Sequence, residues 1–266
     1  MINDILIFAC PLLLASAGAL YSEYTGTLAL YLEGLITFCA FLTYALTVTT
    51  QNFLLSSFLC TFIIILVCLI FGFLIEKTKA NVFIACLGLN LAFLAFSSFF
   101  SSLIFGTRGV LTSQSFMFSK QYCLVYSIII TILLLCFGSY ILFFTQKGIY
   151  FRTTGSDENV LTIKGINTLY YKIASWGFAA LFASQAGTLL CIRVSGFVPN
   201  ISSGRGWMAL AAVYLGKKKL WKIILFVLLF CATDYFCANV QNFMPDFPTA
   251  LHLSLPYLVV LLVSIL

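Results

Sequence analysis

Along this chain, apolar runs of about 18 residues or more follow one another, separated by short polar punctuation. As a helix, each is long enough to cross a hydrocarbon layer of roughly 30 Å. The runs predict spans near 5–22, 27–50, 53–75, 82–105, 122–145, 169–192, 220–241 and 249–266, with a shorter segment at 207–216. None alternates with the two-residue period of a barrel strand, and backbone in lipid must satisfy its own hydrogen bonds, so all are read as helices. The 207–216 segment is too short to cross alone and reads as half of a broken helix. The predicted fold is all-α: one polytopic transmembrane helix bundle over residues 1–266, with about 8–10 spans, some broken or re-entrant. Its start, MINDILIFACPLLL, carries Asp4 and no basic residue, so it is expected to be a retained span and not a cleaved leader.

One stretch interrupts the pattern. GSDENVLTIKGIN, residues 155–167, is a polar island inside a loop at about 146–168. Gly155 and Ser156 precede Asp157 and Glu158, which predicts a helix start with Ser156 as cap and two acids facing the positive end of the helix dipole. Gly165 ends or bends the segment about two turns later. The expected product is a short amphipathic helix on the membrane surface, with Val160, Leu161 and Ile163 as its apolar positions. A plain surface linker between two spans carries the same pattern.

Composition agrees with the spans. Hydrophobic residues make up 62 % of the 266 and charged residues 8 %, with a mean hydropathy of +1.09, against about 25 % charged in soluble domains. The length suits one or two soluble domains, but no stretch is left over to form one. The ten cysteines form no CxxC pair and sit mostly in apolar runs, so they read as small buried hydrophobes, and His252 is the sole histidine. No metal site, no catalytic constellation and no nucleic-acid partner are expected, so the chain is read as not an enzyme. No G-x-x-x-x-G-K-[ST] loop is present to cradle ATP, and no cofactor of the chain's own is expected.

Basic residues orient the bundle. With the 146–168 loop on the cytoplasmic side and each segment crossing once, that side holds Lys77, Lys79, Lys147, Arg152, Lys164, Lys172, Lys217, Lys218, Lys219 and Lys222. The other holds Arg108, Lys120, Arg193 and Arg205, and ten against four favours this orientation, with the N-terminus outside and the C-terminus inside.

Polar residues inside spans are the candidates for chemistry. Glu33, beside Gly34, and Asp234 are intramembrane acids that suit either a solute path or a helix-bridging hydrogen bond. Asn90, Gln185 and Asn239 fit the same two roles, with bridging favoured. Arg205, between Gly204 and Gly206, suits the outer mouth of a path or the lipid headgroups. Ala179, Ala183 and Gly187 make a small-residue face for close helix packing. Tyr21, Tyr24 and Tyr122 fall near predicted ends, where aromatic belts form. GTLALYLEG and GWMALAAVYLG resemble each other faintly, as two repeated broken-helix elements would.

Four ordered stretches resemble a known family. Gly155, Gly165 and Ile166 fall on the pattern G-x-N-x-x-A-A-x-x-x-G-I of the coupling loop in bacterial ABC importer permeases, with Asn159 two places beyond its Asn and Val160 and Leu161 in place of the paired alanines. SEYTGTLALYLEGLI, with Glu23, Gly26, Glu33 and Gly34, resembles the family's S-E-R-x-G-x-x-N-x-x-x-E-G segment, with Leu28, Ala29 and Leu30 around the usual Asn. KTKANVFIACLGLNLAF keeps Asn81, Leu89 and Asn90, and GRGWMALAAVYLGK is the nearest match of the four. The chain thus resembles type II ABC importer permeases of the branched-chain amino acid and sugar superfamily, in the subfamily that works with BMP-type lipoproteins.

That resemblance implies a permease subunit in a bacterial cytoplasmic (inner) membrane. ABC ATPase subunits, holding ATP and Mg, would dock on Gly155, Ser156, Asp157, Glu158, Asn159, Gly165, Ile166 and Asn167. Glu23, Glu33, Gly34, Asn90, Arg205 and Asp234 are the expected translocation-path residues. It also implies a second permease chain or a second copy of this one, an extracytoplasmic solute-binding lipoprotein, and a small-molecule solute: nucleoside first, riboflavin or a simple sugar otherwise. Two other classes stay open, a secondary transporter that couples protons through Glu33 or Asp234, and an assembly protein that moves no solute.

Overall fold

The computed structural model describes residues 2–243 together with Leu258 and Leu261. In chain order the helices are α1 (Ile2–Thr25), α2 (Leu32–Thr50), α3 (Phe53–Thr78), α4 (Val82–Phe105), α5 (Lys120–Phe144), α6 (Gln146–Thr154), α7 (Glu158–Ile163), α8 (Thr168–Val194), α9 (Arg205–Leu215) and α10 (Leu220–Phe243), with a 3-10 turn at Gln114–Phe116. Among the described residues, α1, α2, α3, α4, α5, α8 and α10 are long and apolar enough to cross a membrane. Their boundaries follow local chemistry. Asn52, Asn81, Ser119 and Asn167 each accept a first-turn N–H with a side-chain oxygen, and Gln51, Lys79, Gly106 and Ser195 close the preceding turns in the left-handed conformation.

The bundle has a buried trio and an outer ring. Helices α1, α2 and α8 are 72–78 % buried, whereas α3, α4, α5 and α10 are 22–28 % buried and present Phe58, Leu91, Leu103 and Ile129 outward. Lipid tails are as apolar as these side chains, so helix association has to come from close packing and interhelical hydrogen bonds. Gly187 supplies close packing inside the trio: a Cβ there would lie 2.5 Å from the Ile36 carbonyl oxygen, so α8 touches the backbone of α2. One turn pair below, Ala179 meets Gly18 of α1, so the small-residue face of α8 serves two neighbours. Gln185 bridges α8 to α3, donating to Thr61 Oγ1 at 2.7 Å and Ser57 Oγ at 3.2 Å, and Thr43 meets Thr188 at 3.0 Å.

Helix α2 does not start where hydropathy places it. Residues 26–31 are irregular, and Tyr31 at their end stacks on Trp176 with ring centroids 4.7 Å apart. Trp176 lies eight residues into α8, so α2 begins about 12 Å along that helix. Irregular backbone at this depth is tolerated only inside protein. Here Thr27, Ala29 and Tyr31 are buried, Thr27 Oγ1 meets Ser175 Oγ at 3.0 Å, and Ser22 Oγ donates to the Thr27 carbonyl.

Other expectations are corrected by packing. Tyr21 is not in an interfacial belt but fully buried, donating from its hydroxyl to the Gly138 carbonyl at 2.7 Å and stacking on Phe178; Tyr122 is exposed. The two segments that look like repeats form different elements, since 26–34 is mostly irregular and 206–216 is mostly the helix α9. Apart from Leu258 and Leu261, the segment 249–266 with His252 lies outside the described residues, as does the side chain of Asn239.

Replacing Gly187 by Leu forces α8 off α2. The variant is expected to lose about 1–3 kcal/mol, read as a lower thermal unfolding midpoint in nanodiscs, whereas Gly88, with open space around its Cα, tolerates Ala with no loss.

Candidate functional site

Helix α9 is 11 residues long, about 16 Å, and both of its ends are held by acids. At its N-terminus Gly204 takes φ +81°, and Glu33 of α2 accepts hydrogen bonds from the Gly204 N–H through Oε1 and the Gly206 N–H through Oε2, each at 2.7 Å. Helix N-termini leave N–H groups without an internal partner and carry positive dipole charge. A carboxylate answers both needs, and its own burial is offset by two charge-assisted bonds. Glycine is required at 206 because a Cβ would sit 2.5 Å from the Glu33 backbone nitrogen. The N-terminus of α2 is capped in turn: Gly34 donates to Asn90 Oδ1 of α4 at 2.6 Å, and a Cβ on Gly34 would strike the Asn90 carbonyl. Asn90 caps Gly34, and Glu33 caps α9.

The other end of α9 is tied to α1. Glu23 Oε1 accepts from the Tyr214 hydroxyl at 2.6 Å, and Lys218 Nζ lies 3.6 Å from Oε2 while donating to the Glu23 carbonyl at 2.8 Å. Tyr24, next in sequence, donates from its hydroxyl to the Lys218 carbonyl at 2.7 Å. The sequence marks Lys218 only as one of the basic residues that orient the bundle and gives Tyr214 no role, because their shared contact with Glu23, 191 and 195 residues away in the chain, exists only in the fold.

The same tyrosine reaches the polar island. Its carbonyl accepts from the Gly155 N–H at 3.1 Å, and a Cβ on Gly155 would lie 2.3 Å from that oxygen, so the two backbones touch. The island is built differently from the expectation. It is preceded by a second helix, α6, and the cap of α7 is Asp157, which accepts from the Asn159 N–H at 2.9 Å, whereas Ser156 donates to the Arg152 carbonyl. Helix α7 ends in a Schellman turn, with Gly165 N–H bonded to Thr162 and Ile166 N–H to Leu161, both at 2.9 Å, and Gly165 at φ +72°. Asn167 then caps α8. Of the three expected apolar positions only Leu161 is buried; Val160 is 41 % and Ile163 86 % exposed. Lys172 of α8 pairs with Glu158 and lies 3.9 Å from Glu76 of α3.

Glu23, Glu33, Gly34, Asn90 and the Arg205 turn are therefore brought together around α9. Arg205 itself donates to the Ser202 carbonyl at 3.0 Å. Asp234 stands apart from the two caps on α10, close enough to Arg193 and Arg205 to feel both charges, and Arg193 lies over the Phe8 ring at 3.5 Å.

Glu33→Ala leaves the buried Gly206 N–H and the half-buried Gly204 N–H without an acceptor, at a cost of about 1–3 kcal/mol for the buried one and less for the other. Tyr214→Phe removes one hydrogen bond, worth roughly 1 kcal/mol. Thermal unfolding in nanodiscs is expected to rank the losses Glu33→Ala, then Glu33→Gln, then Tyr214→Phe.

Comparison with known proteins covers the whole fold. A solved structure titled "PsaBC from Streptococcus pneumoniae in complex with Fab" superimposes with a TM-score of 0.58 over 99 % of this chain and 90 % of that one, at 13 % identity, a likeness of fold alone. Uncharacterized protein MG121 of Mycoplasma genitalium is 28 % identical over 142 residues, 52 % of this chain and 45 % of the relative. The ribose import permease protein RbsC of Escherichia coli K12 is 35 % identical over 81 residues, 30 % of this chain and 25 % of RbsC. The matches thus span less than half the length of these curated relatives. The family described as "Branched-chain amino acid transport system / permease component" matches residues 1–264, and the chain belongs to it.

Proposed function

We propose that this multi-pass membrane protein is the permease subunit of an ATP-driven importer, forming the solute path while a separate ATPase supplies the energy. The observation that carries the reading is the α6–α7 segment. Its first helix, α6, packs on α1, α5 and α8 with Phe151 buried, and its second, α7, ends in the Schellman turn at Gly165 and exposes Val160 and Ile163; the segment is bonded through Gly155 to Tyr24, which also holds the α9–α10 turn. A protein seated on α7 would push on backbone that touches both α1 and, through the Tyr24 hydroxyl, α9.

In this reading Gly155, Ser156, Asp157, Glu158, Asn159, Gly165, Ile166 and Asn167 form the ATPase-docking handle. Glu23, Glu33, Gly34, Asn90, Arg205 and Asp234 support the path, most of them by holding α9 and not by touching solute. Two ATPases, a second permease chain and an outer binding lipoprotein complete the assembly in a bacterial inner membrane. The proposed solute is a nucleoside. Riboflavin or a simple sugar is the second reading, the sugar favoured by the ribose named for RbsC.

Ile163→Asp places a charge on the exposed face of α7 without touching the bundle. Co-expressed with an ABC ATPase that co-purifies with the wild-type chain, the variant is expected to lose ATPase co-purification and solute-stimulated hydrolysis by about tenfold or more at unchanged thermal stability. Radiolabelled uridine uptake is expected to stop when ATP hydrolysis is blocked and to survive collapse of the proton gradient. The reverse pattern would assign a secondary transporter, and ATP-dependent uptake of labelled ribose with none of labelled uridine would assign the sugar.

A further inference from the structure

Lys172 has two acceptors on two different elements. Its Nζ is in contact with Glu158 Oε1 of α7 and 3.9 Å from Glu76 Oε2 of α3. The Glu76 side chain is only 9 % exposed, and its other oxygen, Oε1, is buried with no hydrogen-bond partner. A buried carboxylate oxygen left unpaired is costly and calls for a reason. Beside it lies a cavity of about 190 Å³, walled by Glu76, Glu158, Asp157, Lys172 and the hydroxyls of Thr27 and Thr154. The Glu158 charge is close enough to act on Glu76, so the two acids compete for one lysine.

We propose that Glu76, Lys172 and Glu158 form a two-position ion-pair switch for α7. In the docked position Lys172 holds Glu158 and keeps α7 against the bundle. In the released position Lys172 turns to Glu76, whose free oxygen completes the pair, and α7 moves away while the cavity opens. In the docked position Glu76 keeps Lys172 only at 3.9 Å, and in the released position the acid left without the lysine is the exposed Glu158, so each state gives up one ion pair and the two lie close in free energy. Glu76 is then a positioning residue that acts on α7 through Lys172. That the moving element is the ATPase handle rests on the function proposed above, but the switch itself is a property of this chain alone.

Hydrogen–deuterium exchange of the purified protein in nanodiscs, read on peptides covering 155–167, tests the switch without any partner. Glu158→Gln removes the docked pair and is expected to speed exchange there about threefold, the scale of a partly exposed ion pair. Glu76→Gln removes the released pair and is expected to slow it by a similar factor. In a Lys172→Gln background Glu76→Gln is expected to have no effect. Faster or unchanged exchange in Glu76→Gln would make Glu76 a static support and overturn the proposal. A slowing that persists without Lys172 would reduce it to repulsion between the two acids and overturn it as well. Failure of ATPase docking alone would leave these exchange rates unmoved, so the two readings fail separately.

Discussion

A helix that begins inside a membrane must find acceptors for its first N–H groups, because no water is there to take them. Helix α9 meets this constraint with the Glu33 carboxylate, which accepts from Gly204 and Gly206 at 2.7 Å each. Much else follows. Glycine is needed at 206 so that α9 can approach α2, α2 has to start at that depth so that its first turn presents Glu33, and residues 26–31 must be irregular and buried to let it start there. Asn90 then caps the turn that carries Glu33.

The half-helix is consequently clamped and not merely packed. Glu33 answers its positive end, and Glu23 gathers Tyr214 and Lys218 at the other, where a cation suits the negative end of the dipole. Tyr24 joins this clamp to the polar segment through one carbonyl and one hydroxyl. Gly155 is thereby linked to the α9–α10 turn through two hydrogen bonds of one residue. Glu23 and Glu33 are each matched by specific donors at their observed contacts and not by open space.

Hydropathy alone delimited α3 and α4 almost to the residue, because each is a single apolar run between an asparagine cap and a polar turn. It placed the start of α2 too early, since 27–31 is as apolar as a helix yet lies irregular against Trp176. Helix α6 was hidden because Gln146–Thr154 has no apolar stripe to reveal it. The Gly165 ending of α7 was legible because a left-handed turn favours glycine. The cap was assigned one residue early, since Ser156 and Asp157 both suit that place and only the backbone geometry chooses. Glu33, Gly34 and Asn90 stood out as polar residues in apolar surroundings, but that they hold one another's elements depends on three-dimensional register that no single segment encodes.

The capped N-terminus of α9 is open to direct measurement. The chain has four glutamates, Glu23, Glu33, Glu76 and Glu158, so solid-state NMR on protein carrying ¹³C-carboxyl glutamate and ¹⁵N-glycine can read through-space contacts in lipid. The account predicts contacts from one carboxyl carbon to two glycine nitrogens, both lost in Glu33→Gln prepared without glutamine label. Absence of those contacts in the wild-type protein, or their survival in the variant, would contradict it.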